Sequence, residues 1–166
     1  LRMSRLDSVI RRLTSQKLAL EWAADIIRHL DGAVLELGLG NGRTYDHLRE
    51  MLPDRDIYVF EREIAAHPDC IPEKSFQYLG DFRDSLPFAH QVMGANSVLA
   101  HLDIGTGEKQ VSMQLAEQIA PLVLDLMKDR AIIISDQEIE GWSYMLIQPL
   151  ESIPKDRIFI YQVAKK

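Results

Sequence analysis

The chain has 166 residues and carries 19 lysines and arginines against 25 aspartates and glutamates, a formal charge of −6. A chain of this length folds around one core, so we predict a single domain over residues 1–166. The acidic balance argues against a nucleic-acid partner, and the apolar runs are far shorter than the roughly 20 residues that span a membrane. The single cysteine, Cys70, and a start that does not read as a secretory leader predict a cytoplasmic protein.

The chain begins with helix-like sequence. Apolar residues recur at helical spacing over residues 6–13 and again over 18–30, which predicts two helices. Ser15 is a candidate N-cap for the second helix, and Gly32 stands where a glycine often ends one.

Strand-like and helix-like segments alternate from there on. Short β-branched, apolar or aromatic segments predict five strands, at residues 34–37, 57–60, 76–79, 97–103 and 131–135. A later strand is predicted at 157–163, and a further one at 144–147 is left open. Helices are predicted at 44–52 and 109–128, the latter bent or split at Pro121. This alternation predicts right-handed βαβ units and a largely parallel sheet, whose ligands bind at the carboxyl ends of the strands.

The loop after the first predicted strand is rich in glycine and reads Glu36-Leu37-Gly38-Leu39-Gly40-Asn41-Gly42. Glycines allow a sharp turn and let a ligand approach the backbone closely, and the helix that follows offers free N–H groups. Arg43 occupies the position of the third glycine in the dinucleotide-binding fingerprint. That departure disfavours NAD or FAD as the ligand.

Acidic residues follow the next two predicted strands. Glu61 comes about 20 residues after the glycines, where a carboxylate accepts hydrogen bonds from both hydroxyls of a ribose. Asp81 follows the third strand and is a candidate acceptor for an adenine amino group, with Phe82 as an apolar surface beside the base. A helix cap is the alternative role for Asp81.

This order of motifs resembles the class I S-adenosylmethionine-dependent methyltransferase family over roughly residues 32–136. The resemblance implies S-adenosylmethionine as cofactor. It also implies an α/β fold: a Rossmann-like, doubly wound, mostly parallel sheet of six or seven strands, with helices on both faces and an antiparallel final hairpin. The cofactor-binding residues carried over or adjoining the motifs are Glu36, Gly38, Leu39, Gly40, Asn41, Gly42, Glu61, Arg62, Gly80, Asp81, Phe82 and Asp103.

Candidate catalytic residues end the fourth strand. Methyl transfer needs the reactants aligned and, for many acceptors, a general base. Asp103 is the preferred residue, and His101 lies on the same face of the strand. The alternative for His101 is a histidine whose hydrogen bonds are satisfied beneath a helix.

We predict no metal site, although one arrangement stays open. Asp103, Asp136 and Gln137 follow neighbouring strands, similar to the metal-dependent catechol-type O-methyltransferases, and such oxygens suit Mg²⁺. Gln137 replaces the amide of that family with a longer one, and Thr106 stands where a lysine is expected. The alternative for Asp136 is the cap of a turn.

The predicted function is methyl transfer from S-adenosylmethionine to a small-molecule acceptor. The alternative is a non-catalytic S-adenosylmethionine-binding subunit with a regulatory or structural role. By the resemblance, residues 1–31 form a helical cap segment, the best candidate for a lid or for a contact in a homo-oligomer.

Overall fold

A seven-stranded sheet forms the centre of the computed structural model, which describes residues 2–165. The strands are β1 (Ala33–Leu37), β2 (Ile57–Glu61), β3 (Gln77–Leu79), β4 (Ser97–Leu102), β5 (Met127–Ser135), β6 (Leu146–Ile147) and β7 (Phe159–Gln162). Their order is β3-β2-β1-β4-β5-β7-β6, with β1 to β5 parallel and β7 antiparallel to both β5 and β6. The predicted doubly wound fold is confirmed, including the strand left open at 144–147 and the antiparallel final hairpin.

Four α-helices accompany the sheet: α1 (Arg5–Ile26), α2 (Arg43–Met51), α3 (Phe82–Met93) and α4 (Lys109–Leu126). Short 3₁₀ turns lie at Ile27–His29, Pro68–Cys70, Lys74–Phe76 and Glu140–Met145. The sequence did not predict α3, which contains Pro87 and begins after Asp81. The connection between β5 and β6 holds only the 3₁₀ turn Glu140–Met145, so no α-helix covers the sheet there.

The two helices predicted at the start are one helix, α1. Ser4 caps it, since its hydroxyl accepts a hydrogen bond from the backbone N–H of Asp7 at 3.0 Å. Ser15 lies inside the helix and its hydroxyl donates to the Arg11 carbonyl at 2.8 Å, so its predicted role as an N-cap is wrong. No glycine or proline separates the two apolar runs, and the helix therefore continues through them.

The later helix was predicted to be bent or split at Pro121, and it is not split there. Proline removes one backbone hydrogen bond from a helix. The neighbouring turns of α4 nevertheless bury Ala116, Ile119, Ala120 and Val123. This burial holds α4 together as one helix.

Both faces of the sheet are covered, and successive residues of each strand alternate between them. Leu35 and Phe60 belong to the core under α3 and α4. Val34, Val59 and Leu99 belong to the core under α1 and α2. The strand ends are thus held rigidly, which fixes the loops that follow them. Within residues 2–165, no helix combines the length and the apolar character needed to cross a membrane.

Candidate functional site

A cleft of about 750 Å³ opens at the carboxyl ends of β1 to β4. We call it the strand-end cleft. The predicted residues that line it are Gly38, Gly40, Glu61, Arg62, Gly80, Asp81, Phe82 and Asp103. Its volume is in the range typical of small-molecule sites. It lies beside the switch point between β1 and β4, where ligands bind in open α/β sheets.

A larger cleft of about 950 Å³ lies at the opposite edge of the sheet. Gly32, Asp56 and Asn96, which come just before three of the parallel strands, line it. None of the predicted site residues borders this cleft. We therefore assign the candidate site to the smaller, strand-end cleft, since the glycine loop and the acids meet there.

The glycine loop passes so close to its neighbours that side chains are excluded. Gly38 has a φ of 87°, and a Cβ there would lie 2.1 Å from the carbonyl oxygen of Asp103. Gly40 has a φ of 53°, and a Cβ there would meet no atom within 4 Å. Gly38 therefore joins the loop to the end of β4, whereas Gly40 leaves open space at the cleft.

Glu61 is fixed by the backbone of the glycine loop. Its Oε2 accepts a hydrogen bond from the N–H of Leu39 at 2.7 Å and a longer one from Gly40 at 3.4 Å. Its Oε1 accepts from the N–H of Arg62 at 2.8 Å. A carboxylate has about four acceptor positions, so this one is held in place and still has capacity for a ligand donor.

Asp81 caps α3, as the alternative for this residue predicted. Its Oδ1 accepts from the N–H of Arg83 at 2.9 Å, and its Oδ2 lies 3.5 Å from Nη2 of Arg62. The hydrogen bond from the Arg83 backbone lowers the pKa of Asp81, and the two arginine charges add to this. Asp81 is therefore an anion at the cleft wall, and its Oδ2 takes no part in capping the helix.

Glu36 and His101 form a buried pair beneath the glycine loop. Oε1 of Glu36 lies 2.5 Å from Nδ1 of His101, and the Thr44 hydroxyl donates to Oε2 at 3.1 Å. Both residues of the pair are at most 1% exposed, and neither borders the cleft. The structure thus places the predicted catalytic His101 in the core, where its Nδ1 pairs with Glu36.

The charges of this pair are coupled. Burial raises the pKa of Glu36. Burial alone would lower the pKa of His101, but the adjacent Glu36 carboxylate outweighs it and raises the pKa to about 9. The two groups therefore titrate as a coupled pair.

Three of the predicted cofactor residues shape the loop without lining the cleft. The side chain of Leu39 is buried in the core under α1 and α2. The Asn41 carbonyl accepts from the N–H of His67 at 3.3 Å. Gly42 is the N-cap residue that precedes α2, and it packs against Cys70.

Asp103 and Asp136 end neighbouring strands. The Asp136 carboxylate accepts from the backbone N–H groups of Ile104 and Gly105, at 3.3 and 2.8 Å, so it caps the loop after β4. Burial raises the pKa of Asp136, and the nearby charge of Asp103 raises it further. In the part of the chain that the structure describes, residues 2–165, no group of three or more His, Cys, Asp or Glu side chains is placed to hold a metal.

The sequence did not predict that α4 forms one wall of the strand-end cleft. Val111, Gln114, Leu115 and Gln118 line it from that helix. Gln114 and Gln118, four residues apart in α4, were the available signal, because that spacing places them on one face.

Comparisons with known proteins identify the family. The chain matches the family model described as S-adenosyl-L-methionine methyltransferase over residues 3–163. The chain belongs to the S-adenosyl-L-methionine methyltransferase family. It is therefore a methyltransferase that uses S-adenosylmethionine as its cofactor, as the glycine loop and its acids predicted.

Several solved structures are similar to this chain. The methyltransferase is similar to an S-adenosyl-L-methionine methyltransferase from Silicibacter pomeroyi, with 38% identity, a TM-score of 0.89, and coverage of 97% of this chain and 99% of the other. The fold alone is shared with human methyltransferase-like protein 13, solved with S-adenosylhomocysteine (14% identity, TM-score 0.60, coverage 93% and 82%). A probable spermidine synthase from Corynebacterium glutamicum also shares the fold (14% identity, TM-score 0.54, coverage 90% and 63%). A search of curated proteins gave no match.

Proposed function

We propose that this methyltransferase holds S-adenosylmethionine in the strand-end cleft and transfers its methyl group to a small-molecule acceptor. The observation that carries the proposal is the fixed carboxylate of Glu61, which the glycine loop holds at the cleft. The acidic chain and the modest size of the clefts support a small acceptor over a nucleic acid.

The residues of the strand-end cleft suit this cofactor. Glu61 keeps acceptor capacity for a ribose hydroxyl, and Oδ2 of Asp81 offers an acceptor position for an adenine amino group. Phe82 supplies an apolar surface, while Gly40 and Gly80 leave space because no atom lies within 4 Å of a Cβ at either position. S-adenosylmethionine supplies, when bound, a methyl group already activated on a positively charged sulfur.

The other residues orient the site. Glu36 joins β1 to α2 through Thr44 and to β4 through His101, which holds the glycine loop and the end of β4 in one arrangement. We assign His101 this positioning role in place of catalysis. Asp103, at the strand-end cleft, takes up a proton from the acceptor at its carboxylate if the acceptor releases one.

The lid predicted for residues 1–31 stays a prediction, since no described residue of α1 lines the strand-end cleft. Nη2 of Arg157 donates to the Ser8 hydroxyl at 2.9 Å, so the segment before β7 is joined to α1. The contact between copies of the chain that was predicted for this segment stays a prediction.

Calorimetric titration of S-adenosylmethionine and S-adenosylhomocysteine into the wild type and Glu61→Ala tests the proposal. We expect the variant to bind at least about tenfold more weakly, because the buried side of the ribose loses its acceptor. Glu63→Ala is the matched control, since Glu63 is an exposed acid two residues away. Equal affinity for wild type and Glu61→Ala would remove Glu61 from the site.

Turnover separates the enzyme from the non-catalytic alternative. With a panel of small amines, alcohols and thiols, the enzyme releases S-adenosylhomocysteine with at least one acceptor. A regulatory subunit binds the cofactor and releases none with any of them.

A further inference from the structure

A second, smaller cleft of about 400 Å³ adjoins the first. We call it the side cleft. It lies between α1, the loops after β4 and β5, and the segment before β7, and its lining residues are Arg12, Gln16, Asp103, Asp136, Gln137, Asp156, Arg157 and Ile158. Asp103 borders both clefts, so ligands bound in the two clefts would meet beside it.

We propose that the side cleft is the acceptor site, and that it takes a small, non-aromatic molecule carrying an amine and a separate anionic group such as a carboxylate. This inference rests on the proposed function, because an acceptor is meaningful only beside the cofactor. Its volume is at the low end for small-molecule sites, which suits a ligand of a few atoms.

Gln16 is the first observation that favours a polar ligand. Its side chain is 3% exposed, borders the side cleft, and makes no hydrogen bond to any of residues 2–165. Its neighbour Ser15 is equally buried, but its hydroxyl is satisfied by the Arg11 carbonyl. The Gln16 amide therefore keeps its donors and its acceptor for a polar group in the side cleft.

Carboxylates define one end of the side cleft. Asp103 and Asp156 make no side-chain hydrogen bond to any of residues 2–165, and Asp136 is held by the loop after β4. The charge of Asp103 acts on Asp136, and the two repel each other. A protonated or hydrogen-bond-donating amine would relieve this repulsion and occupy the free acceptor positions.

One cation remains for an anionic group. Arg157 is used to hold Ser8, with its two terminal nitrogens 2.9 and 3.4 Å from the hydroxyl and carbonyl oxygens. The Arg12 side chain makes no ion pair or hydrogen bond with any of residues 2–165, and its guanidinium is a two-pronged donor suited to a carboxylate. Ile158 is the one apolar residue among those that line the side cleft, which leaves no aromatic surface for stacking.

Ligand-observed NMR on the protein saturated with S-adenosylhomocysteine tests this. The probes are L-alanine, β-alanine and γ-aminobutyrate, which vary the distance between amine and carboxylate, with ethylamine, propionate and catechol as comparisons. We expect at least one of the three amino acids to bind about tenfold more tightly than ethylamine or propionate. Catechol should bind most weakly.

Variants then test which side chains bind the amine of the ligand and which bind its carboxylate. Arg12→Gln should reduce binding of the best amino acid to about the level of ethylamine, and Asp103→Asn to about the level of propionate. Gln16→Leu should weaken all the amino acids. Arg11→Gln is the matched control, since Arg11 is an exposed arginine of α1 that does not line the side cleft.

The outcomes separate this inference from the proposed function. If S-adenosylhomocysteine itself does not bind, the proposed function fails. The inference is wrong if S-adenosylhomocysteine binds but no amino acid binds more tightly than ethylamine and propionate. It is also wrong if catechol binds more tightly than the amino acids. Equal effects of Arg12→Gln and Arg11→Gln would also overturn it.

Discussion

The strand-end cleft and the side cleft meet at Asp103 but are built in different ways. The strand-end cleft depends on backbone geometry: glycines with positive φ, strand ends and a Glu61 carboxylate already held by N–H groups. The side cleft depends on side chains that make no hydrogen bond to any of residues 2–165, Gln16 and Arg12 among them. A preorganised site suits a fixed ligand such as a cofactor, whereas free side chains define which acceptor the enzyme accepts.

The largest expected effect concerns the buried pair below both clefts. His101→Leu leaves the Glu36 carboxylate buried without its partner, so we expect the free energy of unfolding to fall by about 3–5 kcal/mol. Denaturant unfolding measures this. The double variant Glu36→Leu with His101→Leu should lose less than His101→Leu alone, because no buried charge is left. A double variant that is the less stable of the two would contradict a charge-based role for the pair.

The next effect concerns the contact that joins the two clefts. In Gly38→Ala the new methyl group meets the Asp103 carbonyl and the φ is unfavourable, so we expect a loss of roughly 2–3 kcal/mol in unfolding free energy. Gly40→Ala is the matched control, since it has a positive φ but open space, and should cost about 1 kcal/mol. Equal losses in thermal or denaturant unfolding would mean that the close approach to Asp103 is unimportant.

A smaller effect is the dependence of stability on pH. His101 has a pKa of about 9 in the folded protein and 6.5 as its ordinary value, so the folded state binds the extra proton between these values. The His101 contribution to stability is therefore full below pH 6.5 and is lost as the pH rises through 9, by at most about 1.4 kcal/mol per pH unit. The raised pKa of Glu36 acts in the same direction.

Comparing wild type with His101→Gln isolates this contribution. The difference in unfolding free energy between the two proteins should shrink steadily from pH 6.5 to pH 9. A difference that stays constant over this range would show that His101 is not protonated in the folded protein.

The two clefts also differ in how far the sequence predicts them. The glycine loop and Glu61 lie on short segments whose spacing reflects local geometry, and the structure brings them together as expected. The side cleft brings Arg12 together with Arg157, from opposite ends of the chain. The packing of α1 on the sheet brings these two arginines together, and no local sequence pattern predicts that packing.

The errors in the fold have similar causes. Ser15 stands between two apolar runs, and the pattern alone does not reveal that its hydroxyl bonds within a continuous helix. Helix α3 was not predicted, although Asp81 caps its start. It contains Pro87, a residue type that disfavours the interior of a helix. His101 lies in β4 and was predicted to share a strand face with Asp103, but its Nδ1 pairs with Glu36 on a neighbouring strand.

The most direct test of the account is a crystal structure of the complex with S-adenosylhomocysteine. We expect the ribose hydroxyls on the Glu61 carboxylate, the adenine beside Asp81 and Phe82, and the sulfur directed toward Asp103 and the side cleft. A ligand bound at the amino ends of the strands, or one whose ribose makes no contact with Glu61, would contradict it.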